Sequence, residues 1–199
     1  MSPGTSRVAP RIPLPADAVV DPRIGSSGPC LLALEDGAVF HGIAFGASRA
    51  GGGDLVVNTS QTGYQEVCTD PSYAGQVVVM TYPLIGNHGR FADDDQSDRP
   101  WLYGLIVGHA TAAVLGRARQ IVHLLRSAGV PAIAGLATRT LARHLRESGS
   151  WRGVIPAAGE TDAEAAGAAA RAVPVWEEQD FVSQVSATAP VEVGDRGPV

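Results

Sequence analysis

Residues 58–76 read Asn58-Thr59-Ser60-Gln61-Thr62-Gly63-Tyr64-Gln65-Glu66-Val67-Cys68-Thr69-Asp70-Pro71-Ser72-Tyr73-Ala74-Gly75-Gln76, a run of hydroxyls and amides broken by one Asp-Pro pair. Apolar runs flank it: Asp54-Leu55-Val56-Val57 before it, and Gln76-Val77-Val78-Val79-Met80-Thr81-Tyr82 after it. β-Branched and aromatic residues at that density form strands. The polar stretch is therefore expected as a loop held between two strands, the usual place for function. Proline presets its own φ and pushes the residue before it out of helical geometry, so Asp70-Pro71 marks a turn that displays Ser72 at a fixed corner.

Working outward, Cys30 to Leu34 and Ala38 to Ala44 read as strands joined through Glu35-Asp36-Gly37, where Asp-Gly favours a tight hairpin turn. Ala50-Gly51-Gly52-Gly53 reads as a loose connection into the third strand. Beyond Tyr82, Gly86-Asn87-His88-Gly89 and Asp93-Asp94-Asp95 read as an exposed loop, and Tyr103 to Val107 as a strand. Val114, Ala118, Ile121, Val122 and Leu125 recur at helical spacing, with Gly129 as a C-terminal cap and Pro131 preventing continuation. Ala132 to Leu136 is a further strand. Thr138 to Ser148 is a second helix, with Leu141 and Leu145 one turn apart and Gly149 closing it. Trp151 to Ile155 is the last strand, and Thr161 with Glu164 forms a capping box for an alanine-rich helix reaching about Ala172, followed by a short tail. Strands first and mixed elements later predict an α/β fold of layered type with local hairpins, not a doubly wound sheet.

The 199 residues carry a formal net charge of −5 and no basic stripe, which argues against nucleic acid as a partner. Every apolar run falls short of the roughly 20 residues a membrane span needs, so no membrane is expected. Two cysteines, Cys30 and Cys68, are too few for a disulfide scaffold and lack metal spacing, which suits a reducing cytoplasm. The Pro-rich residues 1–28 read as a flexible extension. The expected division is an extension over 1–29, one domain over 30–189 and a flexible tail over 190–199.

The clasp of residues 58–76 does not stand alone. Leu34-Glu35-Asp36-Gly37, Phe40-His41-Gly42, Thr81-Tyr82-Pro83-Leu84-Ile85-Gly86-Asn87, Ser97-Asp98-Arg99-Pro100-Trp101, Gly104-Leu105-Ile106-Val107 and Leu145-Arg146-Glu147 follow in one order, ending with Arg152-Gly153-Val154-Ile155. Together, from about Cys30 to Ala187, they resemble the amino-terminal domain of the small subunit of glutamine-hydrolysing carbamoyl-phosphate synthetase. The resemblance implies a compact layered β/β/α domain. It also implies a partner, the synthetase large subunit, which uses two ATP, bicarbonate and glutamine-derived ammonia to make carbamoyl phosphate for arginine and pyrimidine synthesis.

In that family the glutaminase chemistry lies in a following domain, with a Gly-x-Cys-x-Gly-x-Gln elbow and a His-x-Glu pair, and this chain is expected to stop before it. Cys30 in Gly-Pro-Cys-Leu-Leu and Cys68 in Glu-Val-Cys-Thr-Asp lack the small neighbours of a nucleophile elbow. None of His41, His88, His109, His123 or His144 is followed two residues later by glutamate. No catalytic residue, cofactor or metal is therefore expected, and a glutaminase would have to come from a separate chain. Cys68 paired with His88 is weighed against Cys68 as an apolar plug beneath the clasp. The acidic run at Asp93 reads as solvated loop rather than a cation site.

Two readings stand for Ser72. The resemblance implies that the serine of Asp-Pro-Ser-Tyr reaches across a domain boundary into the glutamine pocket, while a turn serine bonded to its own backbone needs no such role. Thr59, Ser60, Thr62, Gly63, Tyr64 and Gln65 are expected to satisfy backbone groups and shape a surface that docks on a partner. Gly63 should supply a backbone angle or a close approach. Arg139 and Arg146 either face the synthetase subunit or form an ordinary solvated helix face. Three departures bear on docking: Ala137-Thr138-Arg139 replaces Asp-Thr-Arg, residues 112–116 replace an Asn-Trp-Arg element, and His88-Gly89-Arg90-Phe91 replaces the usual Gly-Val-Asn end of its loop. The expectation is a non-catalytic small-subunit component of the synthetase. The alternatives are a stand-alone binding or regulatory module, or a truncated product.

Overall fold

A computed structural model describes residues 10–14, 20–113, 120–149 and 151–190. The first short strand, β1 (Arg11–Ile12), lies parallel to β3 (Val39–Ala44), and β3 forms an antiparallel hairpin with β2 (Gly28–Leu34). Gly37 N–H donates to Leu34 O at 2.9 Å, and Asp36 Oδ1 accepts from Ala38 N–H at 3.0 Å. Within this turn only Gly37 has positive φ, 90°, so the connection is a three-residue loop ending in a glycine bulge, not the expected tight turn with two positive angles. His144 Nε2 lies 2.7 Å from Asp36 Oδ2 and ties a later helix to it.

The remaining strands are β4 (Gly51–Asn58), β5 (Gln76–Met80), β6 (Leu84–Ile85), β7 (Gly104–Ile106), β8 (His109–Ala110), β9 (Ala132–Ala134) and β10 (Arg152–Ile155). Of the ten strands among the described residues, eight form one sheet in the order β1-β3-β2-β10-β4-β5-β7-β9, and β9 pairs back onto β3 through Ile43↔Ala134 and Ala44↔Ile133. Seven strands thus close into a ring, with β1 outside it. Strand side chains alternate, so each strand sends alternate residues inward. Leu32, Phe40, Leu55, Val79, Ile106, Ile133 and Ile155, one from each strand, belong to a single buried cluster. The helix α3 (Thr138–Ser148) adds Leu141 and Leu145 to it.

The opposite faces are covered by other helices. Val78, Met80 and Leu105 pack with Val67 and Cys68 of α1 (Tyr64–Thr69) and with Ile121, Val122 and Leu125 of α2 (Ile121–Ser127). Leu31, Ala33 and Val39 pack with Ala166 of α4 (Ala163–Ala172). The α/β reading holds. The strand pairing describes one closed mixed ring, so it does not give the specific β/β/α layering that the resemblance implied.

Several local expectations are corrected. Gly51-Gly52-Gly53 is not a loose connection but the start of β4, paired with Ile155, Val154 and Gly153 of β10. A Cβ on Gly53 would lie 2.1 Å from Gly75 O, so side chains are excluded there by the neighbouring backbone. The cap of α4 is Asp162, whose Oδ1 accepts from Glu164 N–H at 3.0 Å and Ala165 N–H at 3.1 Å, rather than Thr161. The expected helix from Val114 is seen from Ile121 only, since 114–119 lie outside the described residues, and Gly129 follows its end with φ 73°. After α4 the chain is not a bare tail: Phe181 is buried and precedes a further helix, α5 (Val182–Val185).

The flexible-extension reading also fails for the part of it that is described. Val20 bridges to Ala110, Ser27 N–H donates to Ala44 O at 2.7 Å, and Ile24 is buried with Phe45 and Leu125. Proline-rich composition hid these contacts because an extended segment can add to an edge without any periodicity of its own. Residues 1–9 and 191–199 lie outside the described residues. Among the described residues, no helix is long and apolar enough to cross a membrane.

Asp54 on β4 is half-buried, and its Oδ1 is closed off without a hydrogen-bond partner. Desolvation, helped by Glu177 and opposed by Arg152, raises its carboxyl above the ordinary range. A raised carboxyl binds its proton more tightly folded than unfolded, so the charge opposes folding at neutral pH and this penalty fades as pH falls through the folded-state value. Asp54→Asn is accordingly expected to raise the melting temperature at pH 7, with the gain shrinking towards pH 4. Thermal melts across that range check it, and an equal gain at both ends would refute the charge argument.

Candidate functional site

Residues 58–76 are not a plain loop. Gly63, at φ 78°, turns the chain into α1, and a Cβ there would meet nothing nearer than 3.9 Å, so the residue supplies the backbone angle rather than a close approach. Tyr64 is buried, and its hydroxyl accepts from the backbone N–H groups of His88 at 2.6 Å and Gly89 at 2.9 Å. Gln65 is buried as well: its Oε1 accepts from Phe91 N–H at 2.8 Å, and its Nε2 donates to Phe91 O at 2.5 Å and Asp95 Oδ1 at 2.7 Å. Both side chains are used inside the molecule. Their assignment to a partner-facing surface is therefore corrected: a buried amide and phenol must find internal partners, and here they hold the 86–95 loop.

The backbone of that loop, at His88, Gly89 and Phe91, is what α1 grips. Asp95 pairs with Arg90, so one carboxylate of the acidic run is neutralised within the loop. Burial raises Asp95 while the bonds from Arg90 and Gln65 pull it below the ordinary carboxylate range. Among the described residues, no group of three or more His, Cys, Asp or Glu is placed to hold a metal ion.

At the far end of α1, Thr69 Oγ1 donates to Gln65 O at 3.0 Å, Ser97 Oγ donates to Thr69 O at 2.5 Å, and Trp101 Nε1 donates to Ser97 Oγ at 2.9 Å. Cys68 is fully buried between these anchors, and burial pushes its thiol up to about 12. Cys30 is pushed up to about 11 for the same reason. A thiol held that high carries almost no thiolate at neutral pH. His88, considered as its partner, packs edge-on against Phe91. The purified chain is expected to release no glutamate from glutamine; glutamate release lost on Cys68→Ser would overturn this.

Ser72 sits in a single 3-10 turn, Pro71–Tyr73. Asp70 Oδ1 accepts from Ser72 N–H at 2.8 Å, Tyr73 N–H donates to Asp70 O at 3.1 Å, and Asn58 Nδ2 donates to Tyr73 Oη at 3.1 Å. The turn is thus fixed at both ends while Ser72 itself is exposed. Behind it, Gly75 has φ 78° and leaves room for Phe181, whose ring a Cβ on Gly75 would meet at 2.1 Å. Trp176 stacks on Phe181 at 5.6 Å and donates its Nε1–H to Ala74 O at 2.8 Å. Sequence reasoning missed this aromatic backing; two large aromatics in a segment read as tail were the available signal.

A second feature opens at the ends of β4 and β5. A cleft of about 810 Å³ is lined by Thr59, Thr81, Arg139, Arg143, Arg146 and Trp151, among others. Three residues singled out from the sequence, Thr59, Arg139 and Arg146, therefore meet in one place although α1, β5, β6, β7, β8, α2 and β9 lie between Thr59 and α3 along the chain. Ser60 and Thr62 are exposed on the same connection but do not line the cleft, and neither does Ser72. Ala137 gives α3 no side-chain cap, because alanine has no acceptor to offer the first N–H groups of the helix. Residues 114–116 of the other departure lie outside the described residues.

Comparison with known proteins places these features in context. Residues 32–155 match the family model described as carbamoyl-phosphate synthase small chain, CPSase domain. The carbamoyl phosphate synthase small chain of Symbiobacterium thermophilum is 43% identical over 179 residues, covering 83% of this chain and 47% of that protein. The small chain of Thioalkalivibrio sulfidiphilus is 47% identical over 160 residues, covering 79% and 42%. That of Thermus thermophilus is 49% identical over 127 residues, covering 63% and 32%. The chain spans less than half the length of each of these curated relatives.

Proposed function

Since the chain belongs to the carbamoyl-phosphate synthase small-chain family, we propose that it acts as that family's amino-terminal docking domain, binding a synthetase large chain and supporting the supply of ammonia from glutamine in the cytoplasm. In this reading it performs no chemistry itself and takes no cofactor, and the closed mixed sheet with its flanking helices is the fold it presents to its partner. The observation that carries the proposal is the Asp-Pro-Ser-Tyr turn. The exposed serine donates its N–H to Asp70, its neighbour Tyr73 accepts from Asn58, and Trp176 and Phe181 back the turn. A corner fixed in this way holds the serine hydroxyl outward in one place, which supports its use by a partner.

Ser72 then completes, from outside, the glutamine pocket of whichever chain carries the glutaminase. A neutral hydrogen bond contributes about 0.5–1.5 kcal/mol and one to a charged group about 1.5–3 kcal/mol. Ser72→Ala is expected to weaken glutamine-dependent carbamoyl phosphate synthesis in the reconstituted assembly by several-fold to about a hundredfold. Ammonia-dependent synthesis should hardly change, because it bypasses that pocket. A parallel fall in both activities would mean that the residue acts through folding or docking, and no change in either would remove Ser72 from the pocket.

A further inference from the structure

Arg139, Arg143 and Arg146 lie at i, i+4 and i+7 on α3, which puts three guanidinium groups on one face of a helix in a chain of net charge −5. Like charges at that spacing repel and destabilise a helix unless something neutralises them. Within the chain little does. Among the described residues, the only ion pair on this face is Arg143 Nε to Glu147 Oε1 at 4.0 Å, with both side chains about two-thirds exposed, and such pairs are weak. Among the described residues, Arg139 and Arg146 make no salt bridge.

The same arginines edge the 810 Å³ cleft, whose other walls combine Thr59 and Thr81 with Trp151, an aromatic left 52% exposed. Leu145 closes the floor from the ring interior. Tryptophan and arginine around an apolar depression are the residues that concentrate binding energy at protein interfaces, and a planar guanidinium pairs with carboxylates two bonds at a time. The occupant that fits is anionic at its edges and apolar at its centre.

We infer that the α3 cleft receives a carboxylate-bearing segment of the synthetase large chain, with an apolar side chain seated against Trp151 and its acidic neighbours paired to Arg139 and Arg146. This rests on the docking reading above and specifies where and by what chemistry docking occurs.

The test measures binding of the 199-residue chain to the purified large chain at low and high salt. Arg139→Glu/Arg146→Glu is expected to weaken binding at least tenfold and to flatten its salt dependence. Trp151→Ala should weaken it about tenfold or more with the salt dependence kept. Arg146→Glu alone should be clearly weaker than Arg171→Glu, which makes the same charge change on the exposed side of α4 and should stay within twofold of the parent chain. Circular dichroism melts confirm that each variant is folded. Unchanged binding by the double reversal, with the parent chain bound, overturns the cleft assignment and leaves docking intact. Absence of binding by the parent chain overturns both.

Discussion

Tyr64→Phe is expected to destabilise the protein by about 2–6 kcal/mol, although the substitution removes a single oxygen. That oxygen accepts two backbone N–H groups, from His88 and Gly89. Each buried donor left without a partner costs about 1–3 kcal/mol. The Gly89 bond is buried while the His88 bond is partly buried, so water can recover part of the second, and the lower half of the range is the expected outcome. The effect should be local as well as global. Amide hydrogen exchange at His88 and Gly89 should accelerate before exchange in β5, because the loop loses its anchor while the ring keeps its pairing. A melting temperature within a degree of the parent would show that the hydroxyl is replaceable by solvent.

Removing residues 1–28, or replacing Ile24 by alanine, is expected to cost stability rather than leave it unchanged. Ile24 is 4% exposed and packs into the same cluster as Phe45, Ile121 and Leu125. Truncating a buried isoleucine costs about 2–5 kcal/mol. For a protein of this size 1 kcal/mol moves the midpoint by about 2–4 °C, so Ile24→Ala should lower it by about 4–20 °C. The deletion should cost more, since it also removes the bridge of Val20 to Ala110 and the bond from Arg126 Nη2 to Gly25 O at 3.0 Å. Thermal melts of both variants decide the matter: an unchanged midpoint for the deletion would return residues 1–28 to the status of a free extension.

The lesson in these residues concerns range along the chain. Signals complete within a few positions were legible in the sequence by itself. Thr138–Ser148 is a helix closed by Gly149 at φ 69°, because its leucine spacing and its glycine cap are both local. Asp70-Pro71 makes its turn because proline fixes φ and the aspartate bonds two residues ahead. Family membership was legible too, since it rests on ordered strings of residues and not on contacts. The tertiary structure alone decided the rest. Tyr64–Thr69 became a helix because the ring offered Val78 and Met80 to Val67 and Cys68, while the polar residues around it carried no periodicity strong enough to announce it. Gly51 to Gly53 became strand because β10 supplies their partners and Gly75 O leaves no space for a side chain. The closure of β9 on β3, and with it the meeting of Thr59 with Arg139 and Arg146, depends on pairings between distant segments. A strand's pattern states which face it buries but never names the strand beside it, so those pairings are settled only when the whole chain competes for its own edges.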